Sequence, residues 1–303
     1  MKVLVTGGAG FIGSYLVDKL ISNGEEVIVI DNLSTGKREF INKKAEFIKF
    51  DLCSDPGQLA GILEGIEFVW HIAANPDVKL SAEMPRLIYE NNVLATFNLL
   101  EAMRKAGTKN MIFTSTSAVY GEAKVMPTPE DYCGIPVSVY GATKLSCEAL
   151  IESYCQTYGF ECWIYRLANI IGPRSNHGVI PDFMKKLEGN PKQLEILGNG
   201  KQKKSYLHIE DCISAMLVGL KAREKVSIFN IGNTDSIEVD EIAEIVCQEM
   251  KIKPELSHMG GKTGWVGDVP LMLLSIEKLQ KLDWSAKYNS RQAVVRTAKE
   301  LVN

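Results

Sequence analysis

Val3-Leu4-Val5-Thr6-Gly7-Gly8-Ala9-Gly10-Phe11-Ile12-Gly13 is an apolar, strand-like run that enters three glycines spaced three apart and then a helical pattern. Gly7 permits a tight turn, Gly10 lets backbone approach a pyrophosphate, and Gly13 lets the following helix pack closely. The helix begins with free N–H groups and a positive dipole end facing whatever lies over the loop. The triplet alone also fits an ordinary glycine-rich turn, so its context decides. Asp31 closes the next strand-like run, 18 positions beyond Gly13. A carboxylate there accepts hydrogen bonds from adenosine ribose hydroxyls and repels a 2′-phosphate, so the stretch predicts a dinucleotide site for NAD rather than NADP.

Outward from that loop, strands are expected at 2–6, 26–31, 45–50, 67–71, 110–115 and 161–166. Helices are expected at 11–22, 55–63, 85–105 and 138–158. Short runs rich in Val, Ile and Phe that alternate with helices predict an α/β chain with a Rossmann-type, doubly wound parallel sheet. Later, 180–187, 210–222, 239–250 and 290–301 carry helical spacing, and 227–231 reads as a buried strand. Residues 1–170 are therefore expected to form the NAD-binding domain, rejoined by about 207–232. Residues 171–303 are expected to form mainly a smaller C-terminal α/β substrate-binding region.

Composition narrows the function classes. The 303 residues are 46% hydrophobic, enough for a sizeable core. With 34 basic against 37 acidic residues, the net charge of -3 gives no reason to expect a nucleic-acid or membrane partner. The seven cysteines form no Cys-x-x-Cys pair and the four histidines are scattered, so no metal is expected, and the thiols suit a reduced, cytoplasmic setting. No apolar run approaches the roughly 18 residues of a membrane span, and residues 1–5 lack the pattern of a signal peptide.

Tyr140-Gly-Ala-Thr-Lys144 puts a phenol and an ammonium four apart on one helix face. A free tyrosine, with a pKa of about 10, is a poor base at neutral pH. A neighbouring Lys⁺ and an oxidised nicotinamide would favour its phenolate. Phe113-Thr-Ser-Thr-Ser-Ala-Val-Tyr-Gly121 adds hydroxyls at the end of the fifth strand, where open α/β sheets place ligands; a Ser/Thr-rich capping turn is the plainer alternative. Taken alone, Asp51 reads as a capping residue, Asn92 as a cofactor contact or a backbone holder, Asn169 as a turn asparagine, and His71 as a structural hydrogen-bonder.

In order and spacing, Gly7/Gly10/Gly13, Asp31, His71-Ile-Ala-Ala74, the hydroxyls at 114–117, Tyr140-x-x-x-Lys144, Arg166-Leu-Ala-Asn169, Gly172-Pro-Arg174 and 206–211 resemble the extended short-chain dehydrogenase/reductase family. Asp31-Asn-Leu-Ser-Thr-Gly36 and Ser117-Ala-Val-Tyr-Gly121 are most similar to its UDP-hexose 4-epimerases. The resemblance implies epimerisation at C4 of a UDP-hexose (UDP-galactose or UDP-glucose) through a 4-keto sugar, with a hydride passing to NAD and back. Thr116, Tyr140 and Lys144 would be catalytic. Gly7, Gly10, Phe11, Ile12, Gly13, Asp31, Asn32, Thr35, Gly36, Asp51, Leu52, Ile72, Ala73, Ala74, Asn92, Ser115, Tyr140, Lys144 and Leu167 would bind the cofactor. Thr116, Tyr140, Asn169, Phe183, Leu197, Lys204 and Asp268 would bind the UDP-sugar.

Family dehydratases carry Asp-Glu after the catalytic threonine, and decarboxylases a Glu at the second position. Here Ser117 and Ala118 stand there, and alanine moves no proton, which favours simple epimerisation. Lys204 and Trp265 occupy positions where the family often places phosphate-binding arginines, and Met272 a position that limits room at the sugar C2. The helices at 85–105 and 138–158 imply, by resemblance, a homodimer through a four-helix bundle. Alternatives are another nucleotide-sugar enzyme of the family, such as a UDP-N-acetylhexosamine or UDP-uronate 4-epimerase or an oxidoreductase, and a non-catalytic NAD-binding sensor.

Overall fold

The computed structural model describes residues 1–261, 269 and 271–302. The first half alternates β1 (Lys2–Thr6), α1 (Phe11–Ser22), β2 (Glu26–Asp31), β3 (Glu46–Lys49), α2 (Pro56–Ile62), β4 (Phe68–His71), α3 (Val78–Glu83), α4 (Pro85–Tyr89), α5 (Ala95–Ala106), β5 (Asn110–Thr116), α6 (Val139–Tyr158) and β6 (Glu161–Leu167). The rest holds β7 (Asn169–Ile171), α7 (Val179–Gly189), β8 (Gln193–Ile196), β9 (Lys203–Lys204), β10 (Tyr206–His208), α8 (Ile209–Gly219), β11 (Val226–Ile231), β12 (Ile237–Glu238), α9 (Val239–Glu249), β13 (Glu255–His258), β14 (Leu271–Met272), α10 (Glu277–Gln280) and α11 (Ser290–Val302).

Seven parallel strands form the central sheet in the order β11-β6-β5-β4-β1-β2-β3. Successive side chains of a strand point to opposite faces, so Val3 and Val5 enter one core while Leu4 enters another. The Val3 face packs on Leu16 and Val17 of α1 and on Cys212 and Met216 of α8. The Leu4 face packs on Leu59 of α2, Leu99 of α5, and Cys147 and Ile151 of α6. Covering both faces keeps the backbone of a parallel sheet dry, which is why its strands read as nearly unbroken apolar runs. A third core lies among α7, α9 and α11. The chain leaves the sheet after β6, builds β7 to β10 and α7, and returns as β11 beside β6.

The helical pattern of 85–105 is not one α-helix. Between α4 and α5, Glu90–Leu94 form a π-helical turn. One wide turn inserts an extra residue without breaking the helix, and such bulges collect at functional sites. Here the Asn92 carbonyl accepts from Thr96 Oγ1 at 2.6 Å and from Cys147 Sγ at 3.3 Å. The short helix α3 was likewise not expected; it is capped by Asp77, whose Oδ1 accepts from the Leu80 N–H at 2.9 Å.

Candidate active site

The glycine loop is shaped by contacts that leave no room for a side chain. Gly7 has φ +70°, and a Cβ there would meet Ala73 Cα and N at 2.7 Å. A Cβ at Gly13 would meet the Gly7 carbonyl carbon at 2.8 Å and Gly8 Cα at 2.9 Å. The first turn of α1 has no side-chain cap, so its N–H groups face the loop open to an anion. Asp31 is buried at the end of β2, with Oδ2 accepting from the Ala9 N–H at 3.0 Å and Oδ1 from the Leu33 N–H at 2.8 Å. This carboxylate closes the glycine loop from the end of β2. Asn32 donates to Asp51 Oδ2 at 3.1 Å, while Asp51 Oδ1 accepts from the Cys53 N–H at 2.8 Å, so the second and third strand ends are tied together. A dinucleotide fits this edge: a close-approach loop, a helix N-terminus and a buried acid succeed one another.

Across the sheet, Thr116 ends β5 and its Oγ1 accepts from the Ala118 N–H at 3.2 Å, which starts the turn Ser117–Tyr120. α6 begins at Ser138, whose Oγ accepts from the Gly141 N–H at 3.1 Å. A Cβ at Gly141 would lie 2.6 Å from the Ala118 carbonyl oxygen, so only glycine lets α6 lie this close to the turn. That approach brings Tyr140 to Thr116, whose side chain favours the ionised phenol. Burial opposes it more strongly and pushes the Tyr140 pKa up to about 12. Burial also pulls Lys144 down to about 8, against the nearby Cys147 and Glu148 that raise it. Burial thus favours the neutral phenol, and the Thr116 hydroxyl opposes it only in part.

Beneath these residues lies a polar network. Glu148, one turn beyond Lys144, accepts a short hydrogen bond from Ser115 Oγ and pairs with Arg166, whose Nη2 stands 2.7 Å from Oε2. Arg166 Nη1 donates at 2.8 Å to both the Tyr120 hydroxyl and the Glu130 carbonyl. Tyr120 in turn donates to Asn230 Oδ1 of β11 at 2.7 Å. Glu148 and Arg166 are both buried, at 1% and 7% exposure. His71, also buried, joins Thr6 Oγ1 at 2.8 Å and Thr96 Oγ1 at 3.0 Å, and burial lowers its pKa to about 3.

The remaining expected positions fall as follows. Phe11, Ile12, Ile72, Ala73 and Ala74 surround the glycine loop and the end of β4, and Leu52 and Leu167 are buried at strand ends. Thr35 is exposed, and a Cβ at Gly36 would come within 3.0 Å of Asp31 Oδ1. Asn92 accepts from the Asn75 N–H at 2.8 Å and donates to Thr143 Oγ1 at 3.1 Å, holding the loop after β4 against α6. Asn169 Nδ2 donates to the Ser205 carbonyl at 3.0 Å. Phe183 is buried in the third core. Leu197 is half-buried, and its carbonyl accepts from Gln202 Nε2 at 3.0 Å. Lys204 lies on β9 with a partner of its own. Asp268, with Lys262, Trp265 and Gly267, lies outside the described residues.

Sequence reasoning missed Gly141, Glu148, Phe113 and the network role of Arg166. Gly141 alone carried a signal, because a glycine inside a helix costs roughly 1 kcal/mol against alanine and calls for a reason. Among the described residues, no three His, Cys, Asp or Glu side chains are grouped to hold a metal, and no helix is long and apolar enough to cross a membrane.

The profile of the NAD dependent epimerase/dehydratase family matches residues 3–232. A putative UDP-glucose 4-epimerase of Methanocaldococcus jannaschii is 35% identical over 306 residues, covering 99% of this chain and 98% of that protein. A crystal structure of a UDP-galactose 4-epimerase superposes with a TM-score of 0.91 at 44% identity, covering 99% of this chain and 98% of that one. The UDP-glucose 4-epimerase of Thermotoga maritima, crystallised with UDP-glucose, superposes with a TM-score of 0.90 at 33% identity, covering 99% and 98%. The chain belongs to the NAD dependent epimerase/dehydratase family.

Proposed function

We propose that the chain is an NAD-dependent 4-epimerase that interconverts UDP-galactose and UDP-glucose. The observation that carries this reading is the set of Thr116, Tyr140 and Lys144 gathered at the end of β5, followed by Ser117 and Ala118 in place of an acid pair. The relatives named above, a putative UDP-glucose 4-epimerase and two crystallised UDP-hexose 4-epimerases, match along nearly the whole chain and support it. The glycine loop, the N-terminus of α1 and Asp31 would hold the cofactor, whose chemistry is reversible hydride transfer at the sugar C4.

The chain's own part is proton transfer and positioning. Tyr140, as phenolate, takes the proton from the C4 hydroxyl as the 4-keto sugar forms, and returns it to the same oxygen after the sugar has turned its other face. Thr116 donates a hydrogen bond to that oxygen and holds it against Tyr140. The Lys144 ammonium would stabilise the phenolate and donate hydrogen bonds to the nicotinamide ribose. Alanine at 118 offers no group to remove a proton from C5, so the keto sugar is reduced again rather than dehydrated.

We further propose a cytoplasmic homodimer. Tyr89 on α4, Phe97 on α5 and Tyr158 at the end of α6 are 52%, 42% and 44% exposed, an apolar surface suited to pairing these helices across a two-fold axis. All seven cysteines are free. Light scattering on the purified protein tests the dimer, and a monomer at micromolar concentration would refute it. The function is tested by incubating the protein with UDP-galactose, without added reductant, and separating the UDP-sugars. Conversion to a mixture with UDP-glucose, lost in Tyr140→Phe, is expected. Absence of conversion with NAD bound would overturn the reading.

A further inference from the structure

Lys144 is 2% exposed, yet among the described residues no carboxylate stands within ion-pair distance of its ammonium. The nearest acid, Glu148, is engaged by Ser115 and Arg166. What the ammonium meets instead is the face of Phe113, whose ring centroid lies 4.0 Å from Nζ. Phe113 is fully buried on β5. It stands in register with His71 on β4, and the two rings lie 5.6 Å apart at 35°. His71 is pinned by Thr6 on one nitrogen and Thr96 on the other.

We propose that Phe113 is a positioning residue that keeps Lys144 charged and aimed, and that His71 braces Phe113 as a neutral neighbour. The inference deepens the functional reading above and rests on it for the task of Lys144. A ring face attracts a cation more weakly and less directionally than a carboxylate does. A carboxylate at the same place would draw the ammonium into a contact pair and hold it back from the ribose. The ring thus offsets part of the desolvation while leaving the N–H donors turned away from its face available. His71 suits its place because it stays uncharged, so no second cation lies beside Lys144. The titratable and charged groups that bear on Lys144 are Cys147 and Glu148 on its own helix, His71 on β4, and Arg166 on β6 through its pair with Glu148, while Tyr140 stands four residues before it on α6.

The test keeps the shape of the ring and changes its charge distribution. Phe113 is replaced by mono-, di- and trifluorophenylalanine, which make the ring face progressively less negative. Lys144 ionisation is followed in the full-length protein by NMR of ¹³Cε-labelled lysine, with its signal assigned by its absence in Lys144→Met. The expected result is a stepwise fall of the Lys144 midpoint, about one pH unit across the series, or about tenfold in proton affinity. The alkaline limb of the epimerisation rate profile should move to lower pH in parallel, because Lys144 then gives up at lower pH the charge that favours the Tyr140 phenolate. Phe113→Leu should resemble the trifluoro variant and Phe113→Tyr the wild type. A midpoint unchanged by fluorination, or one that follows side-chain size, overturns the proposal and leaves Phe113 a core residue. The lysine titration stands whether or not UDP-galactose is converted, so failure of the functional reading is seen separately.

Discussion

Replacing Glu148 by Gln and Arg166 by Met, singly and together, tests whether the network under the site acts as one unit. Each single change leaves the other charge buried without its partner, since the two residues are 1% and 7% exposed. Breaking a buried pair from one side costs about 3–5 kcal/mol. The double variant carries neither charge. Tyr120 still donates to Asn230, so the main new defect is the Glu130 carbonyl, which loses its Arg166 donor, at about 1–3 kcal/mol. The singles should therefore sum to about 6–10 kcal/mol and the double cost roughly 2–4, a coupling of about 2 kcal/mol or more. For 303 residues, an unfolding entropy of about 2.1 cal/mol/K per residue turns a 3–5 kcal/mol loss into a melting point lower by about 5–8 °C. Urea unfolding followed by tryptophan fluorescence, at one fixed NAD concentration because a ligand of the native state adds its own stability, measures the cycle. Additivity within about 0.5 kcal/mol would refute the reasoning.

Three further outcomes are expected. Gly141→Ala should lower turnover at least tenfold, although alanine gains about 1 kcal/mol of helix propensity, because the new Cβ meets the Ala118 carbonyl and moves Tyr140 off Thr116; steady-state kinetics on UDP-galactose check it, and an unchanged kcat would sink the idea. Asp31→Asn puts an amide against the Ala9 or Leu33 N–H and removes the charge that repels a 2′-phosphate, so NAD should bind about 10- to 100-fold more weakly while NADP loses less; calorimetric titration of both cofactors decides. His71 has its folded pKa lowered from 6.5 to about 3 by burial, so the unfolded chain binds the extra proton first and stability falls as pH drops below about 6.5. The fall should approach 1.4 kcal/mol per pH unit from this group alone, and His71→Gln should flatten that part of the stability curve measured by urea unfolding between pH 7 and 4.

Much of the nucleotide edge was legible because its chemistry is local. Gly7, Gly10, Gly13 and Asp31 lie within one strand–helix–strand unit, and Tyr140 and Lys144 within one helical turn. The support of the site was not legible, because it depends on register. Ser115 stands opposite Arg166 only once β5 and β6 are paired, and Glu148 meets both only when α6 lies over that pair. Asn230 binds the Thr128 and Ser275 carbonyls, each distant in sequence, at 3.0 Å. The π-helical turn is hidden for another reason: one inserted residue hardly disturbs the apolar spacing of α4 and α5, while it redirects the Asn92 carbonyl.

The return of the chain to the sheet as β11 has a mechanical consequence. The chain passes between the sheet layer and the third core five times: after β6, before α8, after β11, before α10 and before α11. Stitched at five places, the two layers cannot flap freely on a single linker. For the same reason, cutting the chain near residue 170 yields no autonomous piece. The N-terminal fragment ends on a bare β6 whose N–H and C=O groups have lost their β11 partners, an open template for pairing with other chains.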